Sequence, residues 1–375
     1  MKLNIFDRVL DHKGLVEKID SMIWTRRYSA CGTFKLVVPF TNHHRDMLKM
    51  GRLITKSTTN TPEVEMAEIR YVNILKNQKG IEQIEVQGRF ITGWIGKRII
   101  LNPVIVNDRP QNILHRIVRE NVISPANSLR RINNITALTA PGITRDMIEY
   151  KSEPFINVLL ECETAAKASS LGFGIITNLR EEKHYFKVYD GRDLTVNQTV
   201  NPPCVFSQQF DNIIEQEFIN SVENLKTTAY VGGENREDRP RHIVEVGHTA
   251  SGLDRNETFI NATDIVQSFR TSDGMEVTFT DAQVREMLRQ RGINDLASFA
   301  EILSFSSKIN TYSNLVYKED YDLGDRVTCE DRRWGIQINV QINEIAELYK
   351  HNSTDEIEIT FGESLPALID TIRQI

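Results

Sequence analysis

Cysteine is scarce in this chain: Cys31, Cys162, Cys204 and Cys329 are the four in 375 residues. They lie far apart and form no Cys-x-x-Cys pair. Neither a zinc site nor a redox motif is supported, and small reduced core residues are expected. Long apolar runs are missing too. No stretch approaches the roughly 20 apolar residues that span a bilayer. The N-terminus meets charge at Lys2, Asp7 and Arg8 and lacks the apolar core of a signal peptide. A protein made and kept in a cytoplasm, unless released by lysis, is expected. Nor is there an excess of positive charge. Lys and Arg number 45 against 51 Asp and Glu, a net charge of −6, which offers DNA phosphates no broad basic surface.

Signatures of catalysis are equally thin. There is no Gly-x-Ser-x-Gly, no His-Glu-x-x-His and no Gly-x-x-x-x-Gly-Lys phosphate loop. Gly172-Phe173-Gly174 lacks the third glycine of a dinucleotide fingerprint and precedes a strand. His43 and His44 point apart on any regular element, with no third ligand nearby, and read as a surface pair. Glu319-Asp320-Tyr321-Asp322 with Asp325 misses the spacing and closing glutamate of a hand-type calcium loop. It reads as a polar turn leading into a strand at Gly324. No catalytic residue, metal or cofactor is expected.

What the chain does contain is a passage written twice. Gly51-Arg52-Leu53-Ile54-Thr55 is followed by a strand-like run at Met66–Leu75, a turn at Asn77–Gly80, and Ile81–Gly88. Leu323-Gly324-Asp325-Arg326-Val327-Thr328 is followed by a strand-like run at Ile336–Ile345, a polar turn at His351–Asp355, and Glu356–Gly362. The opening and closing glycines are 88 − 51 = 37 and 362 − 324 = 38 positions apart. Three such chains would present six similar units around an axis, which suits a ring-shaped assembly part better than an enzyme.

The length suggests two to four domains, and the pattern an α+β chain that is mostly β. Residues 1–105 read as β, with a strand at Lys35–Val38 stopped by Pro39 and a short helix at Asn42–Met50. Residues 106–203 read as an α+β insertion. Pro110 opens a helix with Ile113, Leu114, Ile117 and Val118 on one stripe, Ser152 caps a second that Gly172 stops, and Lys183–Tyr189 is a strand. Residues 204–362 return to β after Asn201-Pro202-Pro203, with a charged loop from Gly232 to Pro240 and a helical insertion near 262–305. There Asp281 opens a helix that Gly292 ends, and a stripe of Leu296, Phe299, Ala300 and Leu303 continues after Asn294. Residues 363–375 form a tail. Trp24, Trp94 and Trp334 are scattered in strand-like context and are expected in the core. On the late strand Gln337, Asn339 and Gln341 alternate with Ile336, Ile338, Val340 and Ile342.

Several segments in order carry a family likeness. They are Trp24, Tyr28 and Gly32-Thr33-Phe34; Asp190-Gly191-Arg192-Asp193-Leu194-Thr195; Pro203-Cys204-Val205-Phe206-Ser207; Tyr230-Val231-Gly232-Gly233; Gly252 to Glu257; and Tyr321 to Val327. Together they resemble the tail-tip, or baseplate hub, proteins of siphophages and Gram-positive prophages, with hubs of the same general kind in phage-tail-like bacteriocins. The family often has arginine at the position of Asn256 and aspartate at that of Asn261. The resemblance extends to the trimeric hub of contractile-tailed phages. It implies two tube-type β-barrel domains per chain, arranged as a pseudo-six-fold ring. The implied partners are two further copies, the tail tube or a distal-tail or baseplate ring, and a spike or tape-measure end. The implied place is the tip of a virion tail or tail-like particle assembled in a bacterial cytoplasm. Specific nucleic-acid binding and membrane insertion are not expected, and Gln337, Asn339 and Gln341 are candidates to face the lumen. The alternative is a tail-associated peptidoglycan hydrolase or its docking subunit; with 375 − 362 = 13 residues after Gly362, no lysin domain is expected in this sequence. A receptor- or carbohydrate-binding module would need clustered exposed aromatics.

Overall fold

The computed structural model describes residues 1–57, 61–140, 142–238, 240–270 and 276–362. The tail expected at 363–375 and Arg239 of the charged loop lie outside the described residues.

Alternation of apolar and polar residues builds the first module. Its strands are β1 (Leu3–Phe6), β2 (His12–Val16), β3 (Ser21–Arg27), β4 (Thr33–Pro39), β5 (Leu53–Lys56), β6 (Glu63–Val64), β7 (Ala67–Lys76) and β8 (Glu82–Phe90), with α1 (Asn42–Met47) after β4. Met22 and Trp24, then Phe34, Leu36 and Val38, then Ile84 and Val86 turn inward from three adjacent strands and are buried. The Trp24 ring centre lies 4.6 Å from Phe90 and 6.0 Å from Phe34. Of the adjacent histidines only His43 is at the surface. His44 is buried, its Nδ1 2.7 Å from the Pro39 carbonyl oxygen.

The insertion holds β9 (Ile105–Asp108), α2 (Pro110–Val118), β10 (Ile135–Ala137), β11 (Ile148–Lys151), α3 (Val158–Ala168), β12 (Gly172–Asn178) and β13 (Lys183–Tyr189). Pro110 opens α2, where its fixed φ is already helical, and the stripe Ile113, Leu114, Ile117 and Val118 is buried. Asn157, not Ser152, caps α3: its side chain accepts from the Leu159 and Leu160 amides. The Ser152 hydroxyl instead accepts from the Val104 amide. α3 ends at Ala168, so Gly172 starts a strand rather than stopping the helix. The insertion sheet runs β10-β13-β12-β6 and so borrows a strand from the first module. One apolar core continues through both.

Within that core, His184 is buried, 2.8 Å from the Thr177 hydroxyl and edge-on to Trp94. Burial lowers its pKa from 6.5 to about 4. A depressed folded value means full stability above the unfolded pKa, lost as pH falls from 6.5 towards 4. The loss amounts to about 3 kcal/mol at most. Denaturant melts at pH 7 and pH 4 should show that loss in the native chain, and it should be absent in the His184→Phe variant.

The last part begins with β14 (Val205–Phe206) and β15 (Ile213–Ser221). It continues through β16 (Thr228–Gly232), β17 (Ile243–Gly247), β18 (Glu257–Asn261), β19 (Ser268–Arg270), β20 (Glu276–Thr278) and α4 (Asp281–Leu296). It ends with β21 (Ile302–Ile309), β22 (Arg326–Asp331), β23 (Ile336–Lys350) and β24 (Glu356–Gly362). The middle group has its own apolar core, including Val231, Val246, Ile265, Val284 and Leu288. α4 starts at a capping box formed by Thr280 and Gln283. Gly292 lies inside α4, not after it. A Cβ there would come 2.5 Å from Cγ2 of both Val231 and Val246, so the glycine lets the helix settle on the sheet. The expected stripe beyond Asn294 is not helical past Phe299: a 3-10 turn at Ala297–Phe299 leads into β21. Trp334 stands at the tip of the β22–β23 hairpin, 46% exposed, whereas Trp24 and Trp94 are buried.

The doubled passage folds into a doubled topology. The first module orders its strands β3-β4-β8-β7-β5, and the second β15-β21-β24-β23-β22. Every neighbouring pair is antiparallel. The Gly51 amide donates to the Ile69 carbonyl (2.9 Å) and the Ile69 amide to the Arg52 carbonyl (2.9 Å). The Gly324 amide donates to the Ile342 carbonyl (2.8 Å) and the Ile342 amide to the Asp325 carbonyl (2.9 Å). A bulge follows the isoleucine in each copy. Ile69 then faces Gly88 across the ladder, and Ile342 faces Phe361. The counterpart of Gly88 is therefore Phe361, not Gly362, and the two spacings become equal: 88 − 51 = 37 and 361 − 324 = 37.

Candidate functional site at the joint between the modules

The modules meet strand to strand. Glu344–Lys350 of β23 pair antiparallel with Ser21–Arg27 of β3, so one sheet runs from β15 to β2. Side chains lock the seam. Arg26, its side chain only 13% exposed, donates from Nε to Glu65 (2.7 Å) and from Nη1 to the Tyr317 hydroxyl (2.9 Å) and to Asp322. Arg27 pairs with Glu344 at 2.6 Å. Glu347 accepts from Lys56, from the Tyr317 hydroxyl (3.1 Å) and from Lys318 (3.4 Å). Burial works to raise the Glu347 carboxyl, but Lys56, Lys318 and Arg26 outweigh it and hold the pKa below the ordinary value.

Tyr28 is the point where all three parts touch. It is fully buried at the end of β3. Its amide donates to the Asn343 carbonyl of β23, and its hydroxyl donates to the Ser170 carbonyl of the insertion at 3.2 Å. Two glycines make room for the ring: a Cβ on Gly172 would lie 2.4 Å from it and one on Gly324 2.2 Å. Gly191 in turn packs on Gly324, where a Cβ would fall 1.8 Å from the carbonyl oxygen. Four of the segments that carried the family likeness, those holding Tyr28, Leu194, Phe206 and Tyr321, thus converge here, while Tyr230–Gly233 and Gly252–Glu257 lie with the separate middle group. Arg192 holds Asp325 through Nη2 at 2.7 Å, and along the same line the Leu194 amide donates to the Arg326 carbonyl and the Arg326 amide to the Arg192 carbonyl. Val205 and Phe206 add a parallel strand to β22, and the Phe206 ring lies 4.9 Å from Phe361 and 5.0 Å from Tyr321. The acidic turn therefore does more than punctuate: Asp322 and Asp325 anchor one side of the joint. A cavity of about 410 Å³ remains between Arg26, Asp322 and Asp325 on one side and Lys187, Tyr189 and Arg192 on the other.

The three candidate lumen residues share one face of β23, opposite Glu330, Thr328 and Arg326 of β22. Gln337 is exposed. Asn339 is half-buried and accepts from the Thr328 hydroxyl at 2.7 Å. Gln341 is half-buried and donates to the Gly324 carbonyl at 2.9 Å. Two of the three therefore also tie β23 to the opening of its own module. Asn256 and Asn261, where the family often differs, both have partners: Asn256 donates to the Leu225 carbonyl at 2.7 Å, and Asn261 accepts from Arg241. The sequence reading missed Arg26, Lys56, Glu65 and Glu347. Their signal is a charged side chain at an inward position of an alternating strand, as with Arg26 on β3. Among the described residues no three His, Cys, Asp or Glu side chains converge as a metal cluster requires. No helix among them is long and apolar enough to cross a membrane.

Residues 2–363 match the model of a family described as siphovirus ReqiPepy6 Gp37-like protein. The chain belongs to that family. The match bears out the siphophage likeness read from the motifs. The fold of this Gp37-like chain is shared with solved tail proteins, two of them from prophages. The tail protein from Neisseria meningitidis MC58 superposes with a TM-score of 0.56 at 11% identity, covering 96% of each chain. Prophage tail protein gp18 from Listeria monocytogenes EGD-e gives 0.56 at 10%, over 100% of this chain and 98% of that one. The 43 kDa tail protein of prophage MuSo2 from Shewanella oneidensis gives 0.56 at 11%, over 96% and 98%. At these identities the likeness is one of fold: a tail-protein fold, mostly β with few helices. None of the curated proteins matches in sequence.

Proposed function

We propose that this chain is a tail-tip or baseplate hub. Three copies form a ring of pseudo-six-fold symmetry that joins a six-fold tail tube, or a distal-tail or baseplate ring, to a three-fold spike or tape-measure end. The observation that carries this reading is the five-strand order present twice with the same glycine-to-isoleucine hydrogen bonds. A three-fold ring of chains with two like modules presents six like units. On this reading 1–105 and 204–362 are tube-type barrel domains, 106–203 is an insertion, and the protein sits at the tip of a virion tail or tail-like particle. The uncharged Gln337, with Asn339 and Gln341, faces the lumen or its approach, where uncharged side chains give passing DNA little to grip. On the facing strand Glu330 pairs with Arg332 at 2.7 Å, and the Arg326 backbone is bridged to Asp193.

Electron microscopy of the purified protein tests the reading directly. Rings with three-fold symmetry and six like lobes are expected; a monomer at every concentration would overturn it. The role is structural rather than enzymatic: incubation with purified peptidoglycan should release no soluble fragments, and turnover would refute that part.

A further inference from the structure

The joint inside one chain has an unpaired counterpart on its outside. β23 carries β24 on one edge. On the other it carries β22 along Ile336–Gln341 and β3 along Glu344–Lys350. Its equivalent β7 carries β8 on one edge, but on the other β5 reaches only Ala67 and Glu68. Among the described residues, Tyr71–Lys76 have no strand on that side. The equivalent of β3 is β15. Phe34 and Phe305 face the matched pair Gly88 and Phe361, and Trp24 and Phe218 lie opposite those phenylalanines. Among the described residues β15 is the end of the sheet and pairs only with β21. Both bare edges carry apolar surface. Tyr71, Ile74 and Leu75 are 45%, 50% and 47% exposed, and Ile214 and Val222 flank the β15 edge at 54% and 59%. Open edges pair with neighbours unless blocked, and exposed apolar clusters mark interfaces.

We infer that Tyr71–Lys76 of one copy pair antiparallel with Gln216–Ser221 of the next, so that the seam within each chain is repeated between chains. This rests on the hub reading. The repeat sets the register. Glu344 opposite Arg27 becomes Tyr71 opposite Ser221, because 344 − 71 and 324 − 51 are both 273, and 221 − 27 and 218 − 24 are both 194. By the same steps Ile74 falls opposite Phe218 and Asn73 opposite Ile219. Each chain offers one edge of each kind, a head-to-tail contact that closes into a ring.

The test is cysteine cross-linking of the full chain under mild oxidation. The native cysteines are all buried, so background should be low. Directly opposed residues have Cβ atoms about 4.5–5.5 Å apart and diagonal ones about 7–8 Å. Ile74→Cys with Phe218→Cys should give covalent dimers and trimers on a non-reducing gel. Ile74→Cys with Gln216→Cys, shifted by two, should not. Asn73→Cys with Ile219→Cys repeats the test without removing a core ring. Light scattering on the unoxidised variants separates the two failures. A trimer in which neither in-register pair cross-links, or in which the shifted pair cross-links better, overturns the register and leaves the hub intact. A monomer overturns both.

Discussion

Gly324→Ala should lower stability by about 3–5 kcal/mol, enough to unfold a marginal chain, whereas Gly51→Ala at the matched position should cost only about 1 kcal/mol. Both glycines have positive φ, +78° at Gly51 and +95° at Gly324, so each substitution carries the backbone strain of a left-handed alanine. The surroundings then divide them. At Gly51 a Cβ would meet the end of the Arg8 side chain at 3.0 Å, which can swing away. At Gly324 it would meet the Tyr28 ring at 2.2 Å. That ring is held by Ser170 and flanked by Gly172, so overpacking adds to strain. Urea unfolding of the two variants measures the difference. Equal losses would mean that Tyr28 is not fixed where three parts of the chain converge.

Arg26→Met is expected to cost about 2–3 kcal/mol, somewhat below the roughly 3–5 kcal/mol of a fully buried pair, because Asp322 is partly solvated and screened. The variant leaves Glu65 and Asp322 without the guanidinium that bridges them. Adding Glu65→Gln and Asp322→Asn should recover most of the loss, since the penalty lies in stranded charge rather than lost packing. A double-mutant cycle measures the coupling. Additive losses would refute the bridge.

Much of the fold was written locally. Period-two alternation marked β13 and β23, a β-rich run stopped by Pro39 marked β4, and Pro110 marked the start of α2. Where the sequence misled, one residue type served two purposes. Gly88 and Gly362 look like the same closing glycine, yet Gly88 makes room for the Glu68 carbonyl, 1.9 Å from where a Cβ would sit, while Gly362 supplies a φ of +76°. Gly292 has the look of a helix stop but serves close packing against Val231 and Val246. Ser152 and Asn157 are both good caps, and the Val104 amide claims the first. Trp334 sits between strand-like runs, and nothing in its neighbours tells hairpin tip from core. The seam between β3 and β23 pairs residues more than three hundred positions apart, so no window of sequence reveals it. The motif residues Tyr28, Gly191 and Gly324 could be seen to belong to a family, but only their convergence explains why those residue types are needed.

β23 belongs to both halves of the molecule: its first half completes the second module and its last half lies in register with the first. A strand that stays paired on both sides of a boundary, with a single bulge after Ile342, leaves no hinge there. The halves should therefore melt together in a single cooperative transition. A pull that drew the two modules apart along the strand direction would load the backbone ladder between Ser21–Arg27 and Glu344–Lys350 in shear, all rungs at once, rather than peeling it open one rung at a time.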